Sequence, residues 1–213
     1  MRQLASLFMA VVIFAAVPVV PVHAEDKAAA KPEATQTDGA RAVIDTTIQK
    51  VLALLKDEAL KAPEKAEERR QKIRTVLLEV VDMDMVGGLT LANYRAKFSD
   101  AQFTRFKEEF SSLLFKSYIA NLEKYSGESV IILKTETLPK GKVVVTTKIK
   151  SSDKEIPVDF SMAQKGAGWV LYDVKIEGIS MVQNYREQFR ELLGNLTIDK
   201  FLDRLKEKRE KGE

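Results

Sequence analysis

The hydrophobic period of this chain changes once and then changes back, and that limits the folds open to it. Up to Tyr125 the apolar residues recur near helical spacing, from Ser129 to Glu177 they alternate, and beyond Val182 helical spacing returns. Helices, then strands, then helices specify an α+β domain, in which helices cover one face of an antiparallel sheet.

In the first helical part, Val43, Ile48, Val51, Leu52, Leu54 and Leu55 form a stripe that Pro63 ends. A charged stretch from Glu64 turns apolar at Ile73, Val76, Leu77 and Val80. A shorter piece, Met83 to Ala92, contains Gly87-Gly88, which lowers its helical propensity. Ser99 and Gln102 have the spacing of a capping box. The helix beyond it lines up Phe103, Phe106, Phe110, Leu113, Leu114, Tyr118, Leu122 and Tyr125.

Four strands are predicted over Ser129–Thr137, Lys142–Lys150, Glu155–Met162 and Trp169–Glu177. The connections are short and turn-rich, as in antiparallel hairpins. Strict alternation puts Val143, Val145, Thr147 and Ile149 on one face, with Ile156, Val158, Phe160 and Met162, and with Val170, Tyr172, Val174 and Ile176. Strong twist would let such a sheet wrap around something. Two helical stripes close the chain: Val182, Tyr185, Phe189, Leu192 and Leu193, then Ile198, Phe201, Leu202 and Leu205, the second after Thr197 as N-cap.

The termini are expected to lie outside that domain. Residues 1–24 have the form of a secretory signal peptide: Arg2, an apolar run from Leu4 to Val17, and small residues at Val22 and Ala24 before Glu25. Residues 25–39 are polar and are expected to be a disordered leader, 40–207 the folded domain, and 208–213 a charged flexible tail. The expected product is exported and soluble.

Composition then removes whole classes of chemistry. The chain has no cysteine and one histidine, His23, which the expected cleavage removes. A Ser-His-Asp triad, a cysteine nucleophile and a zinc site of thiolate or imidazole ligands are all excluded. A net charge of +3 does not suit a nucleic-acid binder. Asp159 and Asp173 form a conceivable acid pair, but they alternate with the apolar set and suit the solvent side. Asp82 and Asp84 suit the cap of the short helix better than a cation site. Arg186 and Arg190, four apart on one helix, could meet a phosphate, or lie on a solvated face with Glu187 and Glu191. These observations alone give an α+β domain without evident catalytic groups and do not name a ligand.

The block from Trp169 to Phe189, with Tyr172-Asp173-Val174, Glu177-Gly178-Ile179-Ser180 and Asn184-Tyr185-Arg186, resembles the signature of the MlaC family of periplasmic phospholipid carriers, also known as toluene-tolerance auxiliary proteins of an ABC transporter. The helix Phe106 to Tyr125 and the strand Ile156-Pro157-Val158-Asp159-Phe160 resemble the same family, so the likeness extends from about Ala42 to Leu205. It departs from the family at Asp82-Met83 and at Asn93-Tyr94-Arg95.

The resemblance implies a strongly twisted four-stranded sheet with an apolar lipid cavity between it and the helices. It implies a non-enzymatic periplasmic monomer that shuttles phospholipid between an outer-membrane lipoprotein complex and an inner-membrane ABC transporter, maintaining outer-membrane lipid asymmetry. Phospholipid is then cargo, with no other cofactor and no metal, and contact with the membrane complexes is transient. On this basis Phe106, Phe110, Leu113, Leu114, Tyr118, Val143, Val145, Val158, Phe160, Tyr172, Val174, Ile176, Tyr185 and Phe189 are expected to line the cavity, with Arg186 and Arg190 near the headgroup. The alternatives are a protein-interaction adaptor with a filled core and no lipid, and, less favoured, a hydrolase built on Asp159 and Asp173.

Overall fold

In the computed structural model, which describes residues 33–125, 127–151 and 154–211, four helices precede a meandering sheet and two follow it. The described residues all fall within one compact unit. The helices are α1 (Glu33–Lys56), α2 (Ala66–Val80), α3 (Met83–Leu91), α4 (Asp100–Leu122), α5 (Met181–Asn195) and α6 (Ile198–Lys211). The strands are β1 (Ser129–Leu138), β2 (Lys142–Lys150), β3 (Glu155–Lys165), β4 (Gly168–Ile176) and β5 (Ile179–Ser180), hydrogen-bonded in chain order and antiparallel throughout. The fifth strand corrects the expected four. It is two residues long, too short for alternation to reveal.

The helix ends follow their caps. Ser99 accepts from the Gln102 amide and the Gln102 side chain answers at the Ser99 amide, so the capping box is formed. The Thr197 hydroxyl accepts from the amide of Lys200 and starts α6. α3 is a regular helix despite its two glycines. A Cβ at Gly87 would stand 3.2 Å from the rings of both Phe103 and Phe106, so glycine lets α3 approach α4 without displacing either ring. α1 begins at Glu33, which takes residues 33–39 out of the expected leader. Ala40 and Ile44, fully buried against the sheet, hold that end in the helix. The signal-peptide assignment and leader residues 25–32 lie outside the described residues, and α6 takes in the tail as far as Lys211.

Three apolar clusters hold the chain together. One joins α3, α4, α5 and α6 through Phe106, Phe110, Phe189, Phe201 and their neighbours. The second sits between the N-terminal half of α1 and the sheet, at Ala40, Ile44, Val143, Val145, Met162 and Leu171. The third joins the C-terminal half of α1 to α2 and α4 through Val51, Leu55, Ile73 and Ile119. Val81, after α2, packs against the first two and pairs with Leu171 of β4 as a short parallel bridge.

Two bulges break the strict alternation. β1 slips between Ile132 and Lys134, so Leu133 is the extra residue. In β4, Ser161 of β3 faces Asp173 whereas Met162 faces Leu171, so Tyr172 is the extra residue. The face of the sheet toward the helices therefore carries Trp169 and Leu171 before the bulge and Val174 and Ile176 after it.

Candidate functional site

The register fixes what each strand offers to the interior. Val145 faces Phe160, Thr147 faces Val158 and Ile149 faces Ile156, with Val130 of β1 opposite Ile149 and Ile176 of β4 opposite Val158. At one end of this face Val143, Val145 and Met162 are fully buried beneath α1. At the other end Val130, Ile149, Ile156, Val158 and Ile176 stand outside all three clusters, and only Val158 among them is buried. Thr147 sits between the two ends, its hydroxyl used on the Val158 carbonyl at 2.9 Å.

Helix α5 packs along β4, and α4 lies against α5 and α6. One face of α4 packs on α5 and α6, and another, through Phe115, Ile119 and Leu122, packs on α1 and α2. Leu114 and Tyr118 are partly buried, Leu114 against the first cluster and Tyr118 in none of the three. Tyr185 of α5 has its ring 5.0 Å from Phe110 and its hydroxyl sharing a hydrogen bond with Ser117. Burial raises both the Tyr118 and the Tyr185 phenols above their ordinary values, and the two rings are near enough to influence each other. Leu114 and Tyr185 pack against the first cluster, whereas Val130, Ile149, Ile156 and Ile176 on the sheet are partly buried and belong to none of the three clusters.

The expected lining residues separate on this evidence into three groups. Leu114 and Tyr185 on the helices, and Phe160 and Val174 on the sheet, are partly buried at the margins of the first two clusters, while Tyr118, Val158 and Ile176 belong to no cluster. Phe106, Phe110, Leu113 and Phe189 belong to a close-packed aromatic core: Phe106 stacks on Phe110 at 5.3 Å and meets Phe189 edge-on at 5.6 Å. Val143 and Val145 are likewise committed to packing under α1.

Tyr172 is a correction. The bulge turns it to the outer face, where Lys142 lies 4.6 Å from its ring centroid and its hydroxyl bonds to Ser161. Val170, expected on the inner face, is displaced with it and pairs with Ala163 instead. Val130, Ile149 and Ile156, not among the expected lining residues, share the inner face with Val158 and Ile176. What singles them out is partial exposure outside the three clusters, which no pattern of residue types can show.

The charged candidates have structural duties. Asp173 accepts from the Ser180 hydroxyl at 2.6 Å and the Val182 amide at 3.0 Å, tying β4 to the start of α5. Asp159 lies on the outer face opposite Lys175, away from the face that carries Val158 and Ile176. Arg186 is exposed and its Nε donates to the Leu89 carbonyl at 2.8 Å, closing the end of α3, while Arg190 is exposed on the same helix. Asp82 caps α3 through the amides of Asp84 and Met85. A separate open groove of about 600 Å³ lies between α1 and α2, lined by Leu54, Glu68, Gln71, Lys72, Thr75 and Val76, and none of the expected lining residues reaches it. No helix among the described residues is long and apolar enough to cross a membrane.

Comparison with known proteins agrees with this architecture. The family model described as MlaC protein matches residues 45–207. The toluene tolerance protein ttg2D of Pseudomonas putida is 24% identical over 136 residues, or 62% of this chain, and the match spans 63% of that protein, less than two thirds of its length. The phospholipid-binding protein of Ralstonia solanacearum, solved in complex with a phospholipid, shares 20% identity and a TM-score of 0.73, covering 81% of this chain and 98% of that one. At that identity the likeness establishes the fold.

Proposed function

This chain belongs to the MlaC family, and from that premise we propose that it is a phospholipid carrier whose acyl chains lie in a slot between the sheet and helices α4 and α5. The observation that carries the reading is the set Val130, Ile149, Ile156 and Ile176, apolar and on the inner face of the sheet yet only partly buried and outside the three clusters. Burying one methylene is worth about 0.8 kcal/mol, so leaving such a surface wet has no structural rationale unless something apolar covers it. In this reading the chain works in the periplasm, as a monomer, between an outer-membrane lipoprotein complex and an inner-membrane ABC transporter, and helps maintain lipid asymmetry. The name of the Pseudomonas relative and the phospholipid in the Ralstonia structure support it. The carrier performs no chemistry, and ATP is spent in the transporter. Its affinity need only match that of a bilayer, because transfer is then nearly isoenergetic and small biases set direction.

The test is native mass spectrometry of the exported protein purified without added lipid, followed by organic extraction. Adducts of phospholipid mass that extraction removes are expected. A clean apo mass, with no uptake from liposomes, would leave the adaptor without cargo as the better reading.

A further inference from the structure

The β1–β2 hairpin, Ser129–Lys150, stands apart from the rest of the chain in both charge and exposure. It carries five lysines and one acid, a net +4 in a chain whose total is +3. It also carries three of the five large apolar side chains exposed among the described residues, Ile131, Leu133 and Leu138. β1 is an edge strand, paired only with β2. Val143 and Val145 turn one face of the hairpin under α1, so the register sends Ile131 with Lys148, Lys134 with Thr146, and Leu138 with Lys142 to the other face. Lys140 is exposed in the turn and Lys150 is exposed at the far end. Lys134 pairs with Glu136 and Lys148 with Glu155, both at 2.8 Å, while Asp159 on β3 is offset by Lys175 opposite it. The net charge of the hairpin therefore rests with Lys140, Lys142 and Lys150, interleaved with aliphatic side chains along one outer surface.

The chemistry of that surface selects its partner. Addition of a further strand is disfavoured, because the bulge at Leu133 breaks the ladder along the free edge. A fixed protein surface is held chiefly by tryptophan, tyrosine and arginine anchors, and the hairpin has no aromatic residue and no arginine. Lysines are compact charges that demand no set geometry, and aliphatic side chains demand none either. Together they suit a fluid, negatively charged surface, where cations meet phosphates and apolar side chains enter the headgroup layer. We propose that the outer face of the β1–β2 hairpin docks the protein on a bilayer containing anionic phospholipid, with Ile131 and Leu133 entering the headgroup layer and Lys140, Lys142 and Lys150 meeting lipid phosphates. This goes beyond the carrier reading and does not depend on it, since docking uses the outer face of the sheet and cargo the inner one.

The experiment sediments the exported protein with vesicles of phosphatidylcholine containing about one third phosphatidylglycerol, and with vesicles of phosphatidylcholine alone. Binding to the anionic vesicles is expected to be at least about tenfold tighter at low salt, and to lose most of that advantage in half-molar salt. Lys140→Glu combined with Lys150→Glu should weaken it by about tenfold or more. Lys200→Glu combined with Lys206→Glu, exposed on α6, makes the same change in net charge and should leave binding within about twofold of wild type. Leu133→Ser should weaken it by about threefold or more. All of these sites are exposed, so melting temperatures close to wild type are expected and show that the fold is kept. Equal binding to both kinds of vesicle overturns the proposal. So does an α6 variant that loses as much as the hairpin variant, because net charge alone would then explain the attraction, and so does a Leu133→Ser protein that binds as wild type does. Each readout is protein on vesicles, not lipid inside protein, so a failure here leaves the carrier reading to its own test.

Discussion

The carboxylate of Asp82 and the ammonium of Lys165 meet at 2.7 Å across 83 positions of sequence, fastening the β3–β4 turn to the start of α3. The Asp82 carboxylate also accepts two α3 amides, and its own amide donates to Leu171 at 3.0 Å, beside the Val81 bridge. Burial disfavours its charge, but Lys165 and the two amides outweigh burial and hold the carboxyl below its ordinary value. Asp82→Ala removes cap and ion pair together and is expected to cost about 1–3 kcal/mol in urea unfolding. Asp82→Asn keeps a capping side chain and should cost less than half of that. Lys165→Ala should cost under about 1 kcal/mol, because the lysine end is exposed and screened.

Acid sensitivity should trace to a second carboxylate. The guanidinium of Arg70, and then that of Arg69, hold Glu123 below its ordinary value of 4.5 against the opposing effect of burial. A depressed carboxylate contributes its stability in full above its unfolded value, and loses it as pH falls through its folded value. The melting temperature of wild type should therefore hold from neutral pH to about 4.5 and drop below that. Glu123→Gln should melt lower at neutral pH, with a shallower acid drop, when scanned by circular dichroism from pH 7 to pH 3.

Core and slot should respond differently to mutation. Phe106 is fully buried among Phe98, Phe103, Phe110, Phe189 and Phe201. Phe106→Ala is expected to cost about 3–5 kcal/mol and to loosen the whole helical half. Ile156→Gln and Ile176→Gln, at partly exposed positions outside every cluster, should change stability by under about 1 kcal/mol. They should nevertheless lower the phospholipid recovered with the protein. A slot substitution as destabilising as Phe106→Ala would place those residues in the core.

Gly39 lies against the indole of Trp169, the single tryptophan. A Cβ there would stand 2.8 Å from the indole nitrogen. Glycine to alanine in a helix ordinarily gains up to about 1 kcal/mol. Here displacement of a bulky ring should reverse the sign, with a net loss on the order of 1 kcal/mol. Trp169 reports directly: its fluorescence should shift to longer wavelength in Gly39→Ala. An unchanged spectrum with higher stability would show that the contact is slack.

Much of this architecture was legible because local signals agreed with tertiary ones. The capping box at Ser99, the Phe106–Phe110–Leu113 stripe and the alternation Val143-Val145-Thr147-Ile149 all survived, and the block around Asp173 carried the family. The failures have a common physical origin. Trp169-Val170-Leu171-Tyr172 is apolar on both faces, so nothing in it marks where an extra residue reverses the alternation, and Tyr172 was assigned to the wrong side. Residues 33–39 carry Thr, Asp and Gly, poor helix formers, and the helix continues through them because Ala40 and Ile44 anchor it on the sheet. The proposed slot was half visible: its residue types could be named, whereas which of them stand partly exposed outside the clusters depends on how three clusters partition the interior.

That partition has a bearing on descent. Side chains that brace none of the clusters can change size without loosening the framework that folds the chain. If the proposed carrier role holds, successive substitutions at Val130, Ile149, Ile156 or Ile176 would let a lineage retune its cargo by one methyl group at a time while its scaffold stays the same.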